Sequence, residues 1–352
     1  MRMRMKRYRT FRMKSLPISF LVDQRALIII ILLTVALVAL MLISLGSGTT
    51  KASVGRVVAT LLGSGTTSEN FALLTLRLPR ILLGALVGAG LALSGSILQG
   101  LIRNPLAAPD VIGVSSGASL MAVLFISVIN PALGLGIDYL PLFAFLGALT
   151  VVYIMYGLAW KDGVSPFRLI LIGFGITALL GAIQTILMIF GPITTTSQSF
   201  VWLTGSLHAT KWHEVEIVSI WMLILTPILF GLVMALNLQQ VSDEITVGLG
   251  GRLQLIRLGL VTMAACLAGV SIAFAGSIGF IGLMAPHIAR KLVGTSYGQL
   301  MPTAALIGAI LIVFADWVGR TWFAPLDIPA GVFTAMIGAP FFVYLFIRMR
   351  NK

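Results

Sequence analysis

The sequence has 352 residues, of which 58% are hydrophobic and only 10% are charged, and its mean hydropathy is +1.04. A soluble domain carries about 25% charged residues, so these proportions exclude a soluble protein and require lipid as part of the solvent. The formal net charge is +13, but the positive residues lie at the ends of apolar runs, which argues against a nucleic-acid-binding protein.

Residues 1–25 form a basic leader with eight lysines and arginines. The leader resembles the basic region of a signal peptide. However, the apolar run that follows, 26–46, is too long for a signal core, and no small-x-small cleavage site follows it. We therefore expect a retained first transmembrane helix with its leader in the cytoplasm.

The remaining apolar runs predict a polytopic membrane protein. A spanning helix needs roughly 20 apolar residues, because each residue adds about 1.5 Å and the hydrocarbon layer is about 30 Å thick. The sequence therefore predicts a single all-α membrane domain over 1–352, a bundle of about ten transmembrane helices. The predicted spans are 26–46, 79–102, 106–129, 139–160, 167–190, 215–237, 256–275, 277–293, 301–321 and 330–348.

The distribution of positive charge predicts the orientation of this bundle. With the N-terminus inside, eighteen of the 24 lysines and arginines fall on the cytoplasmic side and six fall outside. Cytoplasmic loops of membrane proteins carry such an excess. We therefore expect both termini in the cytoplasm. The same bias supports keeping the eighth span, which is short and contains Pro286, His287 and Arg290.

Small residues predict close packing of the helices. On the second span they recur every four residues, at Gly84, Gly88, Ala92, Ser96 and Gly100. Lipid supplies no hydrophobic drive between helices, so small residues that let backbones approach are the usual contact surface.

Few residues could carry catalytic or metal chemistry. Cys266 is the only cysteine, and His208, His213 and His287 lack the spacing of metal ligands. The sequence has no G-x-x-x-x-G-K-[ST] nucleotide-binding motif. We therefore expect no metal site, no bound cofactor and no enzymatic activity in this chain.

Two arginines lie at the predicted outer mouth of the second span, in the segment Leu76-Arg77-Leu78-Pro79-Arg80. Proline suits the first helical turn, where its missing N–H has no partner in any case. Arginines on the outer side run against the charge bias. They are either interfacial anchors or a docking point for an acidic partner, and the residues alone leave both interpretations open.

Asp316 is the one carboxylate well inside a predicted span, and such groups are functional candidates. Arg320 lies four residues further on, which is one helical turn. We expect a structural Asp316–Arg320 pair rather than a proton relay.

The segment 238–255 is the longest predicted cytoplasmic loop after the leader. Ser242, Asp243 and Glu244 are typical of a helix start, and the glycines that follow end it. A short helix presented to the cytoplasm is a suitable contact for a cytoplasmic partner.

Several motifs follow one another in a family-specific order. They are LRLPR (76–80), NPLAAPDVIGVSSGA (104–118), DEITVGLG (243–250), GSIGFIGLMAPHIAR (276–290), ADWVGR (315–320) and DIPAGVFTAMIGAPFFVYL (327–345). From about residue 20 to its end, the chain resembles the permeases of bacterial iron-siderophore and cobalamin ABC importers. The combination of NPLA-x-P with IGF-x-GL-x-x-PH-x-x-R is highly specific for that family.

The resemblance implies a dimer, formed with a second copy or a paralogue, that works with two cytoplasmic ATPases and an extracytoplasmic substrate-binding protein. ATP and Mg²⁺ would then be used by the partner subunits. It also implies an inverted repeat of spans 2–5 and 7–10 in the cell membrane. The most frequent substrates are ferric siderophores, with cobalamin and haem as alternatives.

The resemblance also assigns roles to residues. Arg77, Arg80 and Arg320 fall on positions that contact carboxylates of the binding protein. Ser165, Pro166 and Phe167 fall on the inner gate, where Pro166 and Phe167 depart from the small hydroxyl residues of the cobalamin permease. The segment that contacts the ATPase comprises Val241, Ser242, Asp243, Glu244, Ile245, Thr246, Val247, Gly248 and Leu249.

Two other classes of protein remain as alternatives. An ion-coupled secondary transporter would need carboxylates or broken helices near the middle of the membrane, for which Asp316 alone is thin support. A membrane-embedded enzyme would need a paired acid, base or metal ligand, and the sequence offers none.

Overall fold

A computed structural model describes residues 8–12, 19–48, 52–161, 163–239, 248 and 252–350. The described part of the leader contains two short strands, β1 (Tyr8–Arg12) and β2 (Ser19–Asp23), which pair antiparallel. The Asp23 side chain accepts a hydrogen bond from the Arg25 backbone N–H and caps the first helix. This side-chain cap sets the start of the first helix directly after the leader.

The rest of the described chain is mainly helical. The helices are α1 (Gln24–Gly46), α2 (Val54–Leu61), α3 (Leu78–Ile102), α4 (Val114–Leu124), α5 (Leu140–Leu158), α6 (Pro166–Phe190), α7 (Ile193–Leu203), α8 (Trp212–Gly231), α9 (Val233–Gln239), α10 (Leu253–Ala275), α11 (Ile281–Val293), α12 (Tyr297–Thr321) and α13 (Ala330–Arg350). The segment Thr67–Glu69 and π-helical Asn70–Arg77 lead directly into α3. Helix α4 continues through π-helical Phe125–Ile129 into Asn130–Leu133.

In the described part of the chain, nine helical segments are long and apolar enough to cross a membrane. They overlap the predicted spans other than the eighth, although the third begins at Val114 rather than at residue 106. The all-α polytopic architecture is therefore confirmed.

The predicted eighth span, 277–293, is not a continuous helix. Helix α11 has 13 residues and is about 20 Å long at 1.5 Å per residue, too short to span the hydrocarbon. Helix α10 ends before Gly276, and α11 begins only after Phe280; these two residues have positive φ angles of 72° and 67°. The segment is therefore not among those long enough to cross a membrane, and the prediction of a full eighth span is wrong.

Helix α3 lies at the centre of the bundle and packs against α10, α11 and α12. Most of its residues are buried. Helices α1 and α6, by contrast, present long exposed apolar faces. A bundle with a buried central helix and apolar outer helices is the arrangement expected of a protein surrounded by lipid.

Two features accord with the inverted repeat implied by the resemblance. The first helices of the two predicted repeats, α3 and α10, pack together, and the Ser94 hydroxyl donates to the Ala264 carbonyl at 2.7 Å. The second span of each repeat begins after a left-handed residue, Gly113 before α4 and Phe280 before α11.

Glycines set the distance between α3 and its neighbours. A Cβ at Gly88 would overlap the Gly308 carbonyl of α12, and a Cβ at Gly95 would overlap the Gly282 carbonyl of α11. In each case the clash would be with backbone, which cannot rotate away. The predicted small-residue stripe of the second span is thus a set of close helix contacts.

The substitution Gly95→Ala should destabilise the bundle by about 1–3 kcal/mol, because it overpacks a helix contact that has no room for a methyl group. The matched control is Gly259→Ala in α10, where an added Cβ meets no atom within 4 Å. Thermal unfolding of the detergent-solubilised variants should show a lower midpoint for Gly95→Ala only. Equal midpoints would contradict close packing at Gly95.

Candidate functional site

Three predicted docking residues lie together at one end of the bundle, here called the Arg80 end. Arg77 closes the π-helical segment before α3, and Arg80 follows Pro79 in the first turn of α3. Arg320 lies in the last turn of α12. Helices α3 and α12 pack against each other although they are far apart in the sequence, and this packing brings the three arginines together.

Arg80 is buried and is held between two carboxylates. Its Nε donates to Asp316 Oδ1 at 2.8 Å, and its two terminal nitrogens donate to both oxygens of Asp327 at 2.6 and 2.8 Å. Only 8% of its side chain is exposed. A planar guanidinium can satisfy two carboxylates at once, which a lysine ammonium cannot do with the same geometry.

Asp327 also joins a third element to this ion cluster. Its Oδ2 lies 2.7 Å from Nδ1 of His208, in the loop between α7 and α8. Burial alone would raise the pKa of Asp327, but the hydrogen bonds from Arg80 and His208 outweigh it and hold the pKa at about 2. The unfolded value is about 4, so this stabilisation is present above about pH 4 and is lost as the pH falls towards 2.

Arg77 and Arg320 contact the end of α1 instead. Arg320 donates to the backbone carbonyls of Ser44 and Ser47 at 2.6 and 2.9 Å, and Arg77 donates to the Leu45 carbonyl at 3.0 Å. The last carbonyls of a helix lack partners within the helix and carry partial negative charge, so cations are favoured there. The two arginines therefore fasten α1 to the centre of the bundle.

The predicted Asp316–Arg320 pair is wrong. The ion-pair partner of Asp316 among the described residues is Arg80, while Arg320 turns towards the carbonyls of α1. The sequence prediction considered only the spacing within one helix. It therefore missed Asp327 and His208 as members of the ion cluster. The position of Asp327, an acidic residue shortly before α13, could have indicated a partner for an arginine at this end.

Interfacial anchoring of Arg77 and Arg80, one of the two interpretations left open by the sequence, does not fit their burial. The side chains of both are at most 9% exposed, whereas an anchoring arginine extends its guanidinium into the headgroup region. Their docking role stays a prediction.

The predicted gate residues lie at the opposite end, here called the Tyr297 end. The Ser165 side chain accepts from the Arg168 backbone N–H at 3.3 Å and caps α6, and Pro166 occupies its first turn. Phe167 is 73% exposed and faces away from the chain's own core. The segment is held in place because Arg257 of α10 donates to the Val164 carbonyl at 2.7 Å.

Most of the predicted coupling segment, Val241–Val247 and Leu249, lies outside the described residues, and only Gly248 is described. The element that leads into it, α9, is attached to two central helices. Arg103, at the end of α3, donates to the Gln239 carbonyl at 2.7 Å. The Tyr297 backbone N–H of α12 donates to Asn237 at 3.1 Å. Movement of this segment would therefore be transmitted to α3 and α12.

Within the described ranges, no group of three or more histidine, cysteine or acidic side chains could hold a metal ion. Charged clusters lie at the two ends of the bundle, and the described residues between them contain nine helical segments that could cross a membrane. This architecture is that of a polytopic membrane protein.

The chain belongs to the FecCD transport family, whose family model matches residues 36–348. It is 45% identical to YfhA of Bacillus subtilis, named as a siderophore transport system permease, over 94% of this chain and 97% of the relative. It is also 45% identical to the achromobactin transport system permease CbrC of Dickeya dadantii, over 89% of each chain. A solved structure described as an inward-facing metal-chelate type ABC transporter is 32% identical, with a TM-score of 0.82, over 91% of this chain and 99% of that one.

The substitution Arg80→Lys should destabilise the bundle by about 3–5 kcal/mol, because a lysine leaves one carboxylate of the cluster without its partner in a buried site. The matched control is Arg56→Lys, which alters the exposed Arg56–Glu69 pair at the same end. Thermal unfolding should show a large loss for Arg80→Lys and almost none for Arg56→Lys. Similar small losses would show that the Arg80 cluster contributes little to stability.

Proposed function

We propose that this chain is the membrane-spanning subunit of a binding-protein-dependent ABC importer that takes up ferric siderophores. The observation that carries the proposal is the family match over residues 36–348, which includes nearly every crossing. YfhA, which is named for siderophore transport and is 45% identical to this chain, supports this substrate over haem or cobalamin. ATP and Mg²⁺ are used by separate subunits, since this chain has no nucleotide-binding motif.

A second permease subunit, either a copy of this chain or a paralogue, completes the transport pathway. The exposed face of α6 supports this dimer. Gly175 and Gly181 lie on it without any atom within 4 Å of an added Cβ. Small residues on a helix surface mark helix contacts rather than lipid contacts. Helices α6 and α13 then line the pathway between the subunits, and membrane lipid covers the rest of the apolar surface.

The protein lies in the plasma or inner membrane of the cell. Both of its termini are in the cytoplasm, in accord with the charge bias. The Tyr297 end then faces two ATPase subunits. Residues 241–249 contact them, and their motion reaches α3 and α12 through the anchors at Gln239 and Asn237. Ser165, Pro166 and Phe167 form the inner gate, where the exposed Phe167 ring packs against the second subunit.

The Arg80 end faces outwards and docks an extracytoplasmic substrate-binding protein through its acidic residues. Arg77, Arg80 and Arg320 supply the positive charge. Three arginines against the carboxylates of Asp316 and Asp327 leave one excess positive charge in a cluster whose members interact electrostatically. An excess positive charge steers an acidic partner and sets its docking orientation.

Cells that depend on this chain and its partner subunits should accumulate iron from a ferric siderophore, and depletion of ATP should stop uptake. Uptake of radiolabelled iron measures this directly, with haem and cobalamin as alternative substrates. Uptake that persists without ATP and stops when the ion gradients collapse would instead indicate a secondary transporter. Uptake of haem or cobalamin alone would contradict the siderophore assignment.

A further inference from the structure

The Arg80 cluster joins three separate parts of the chain through a single carboxylate. Asp327 lies in the connection between α12 and α13, and it contacts Arg80 of α3 and His208 of the connection between α7 and α8. A backbone hydrogen bond from Gly331 to the Gly205 carbonyl, at 3.0 Å, lies beside these contacts. The outer ends of α7 and α13 are thus tied to each other and to the centre of the bundle.

The two carboxylates on Arg80 are not equivalent. Asp316 lies within the last two turns of α12 and its side chain is 2% exposed, whereas the side chain of Asp327 is 27% exposed and belongs to a loop. Asp316 is therefore fixed by the backbone of a packed helix. Asp327 needs only a movement of the loop, so it is the carboxylate that a partner can replace.

We propose that an acidic side chain of the docking protein takes the place of Asp327 on Arg80, and that this exchange releases the α12–α13 loop from the rest of the Arg80 end. The inference rests on the proposed docking of a binding protein and adds a mechanism to it. Arg80 keeps two carboxylate partners throughout, since one bidentate pair is replaced by another. The desolvated guanidinium is therefore never left unpaired, and the exchange avoids the penalty of an isolated buried charge.

The exchange would open the outer end of the pathway. Once Asp327 leaves Arg80 it no longer holds His208, so the α7–α8 and α12–α13 connections lose their shared side-chain link. Among the described residues, the links that remain include the Gly331–Gly205 backbone hydrogen bond and the close approach of Gly331 to the Thr204 carbonyl. Docking thereby becomes coupled to separation of α7 from α13, through a contact that exists only in the undocked permease.

The exchange makes Asp327 a competitor of the docking protein, and this gives a direct test. The permease is reconstituted in lipid nanodiscs with its ATPase subunits, and association of its substrate-binding protein is measured. The substitution Asp327→Asn should speed association about fivefold, because the partner carboxylate no longer competes with an anion for Arg80. The substitution Asp327→Glu keeps the competitor and should leave the rate near that of the wild type.

The matched control is Glu69→Gln, which removes the same charge at the same end but leaves the Arg80 cluster intact. Any effect of long-range steering alone should appear equally in both variants, and it should vanish at about 1 M salt, where the Debye length is about 3 Å. The gain from Asp327→Asn should persist there, because it arises from a contact. Equal rates for Asp327→Asn and Glu69→Gln would overturn the exchange while leaving docking in place. Failure of the wild-type complex to bind the protein at all would overturn the proposed function.

A distance measurement tests the structural consequence independently of the rate. Spin labels at Ala209→Cys and Leu326→Cys, two exposed positions, report the separation of the two loops in a Cys266→Ser background. Addition of the binding protein should lengthen this distance in the wild-type sequence, and Asp327→Asn should show the longer distance without it. An unchanged distance on docking would refute release of the loop. If Asp327→Asn is too unstable for kinetic measurements, the distance change of the wild-type sequence on docking still tests release of the loop.

Discussion

A single buried guanidinium organises one end of this protein. Arg80 enters the bundle at the start of its central helix and is matched there by two carboxylates from a different part of the sequence. Placing a charge in such a site is costly unless it is paired and hydrogen-bonded. That requirement fixes the position of α12 relative to α3 and of the loop before α13. The neighbouring arginines then fasten α1 to the same centre through its terminal carbonyls.

The remainder of the bundle is held together by shape rather than charge. Helix α3 meets α11 and α12 through glycine contacts that leave no space for a methyl group. Helix α11 is short and lies beside α3 at the Gly95–Gly282 contact. The consequence is a tightly packed core of α3, α10, α11 and α12.

Composition and hydrophobic length were sufficient to predict the fold class and the approximate positions of nine of the ten predicted spans, because hydrophobic length is a strong local signal. They failed where the structure depends on pairing between distant segments. Helical spacing suggested Arg320 for Asp316, but tertiary packing placed Arg80 there instead. The predicted eighth span contains only the 13-residue helix α11, since hydropathy does not register the positive φ angles of Gly276 and Phe280 that separate it from α10. Docking, gating and coupling residues came from family motifs, and their roles remain proposals.

The account depends on Arg80 and Asp316 acting as one unit, and a double-mutant cycle measures that most directly. The free energy of unfolding would be determined for the wild type, Arg80→Gln, Asp316→Asn and the double variant. The change Arg80→Gln leaves Asp316 buried without its partner, and Asp316→Asn leaves Arg80 with Asp327 as its remaining carboxylate, whereas the double change removes both charges of the pair. We predict that the double variant loses less unfolding free energy than the two single variants together, by about 2–3 kcal/mol. Additive losses would contradict the central role of the Arg80 cluster.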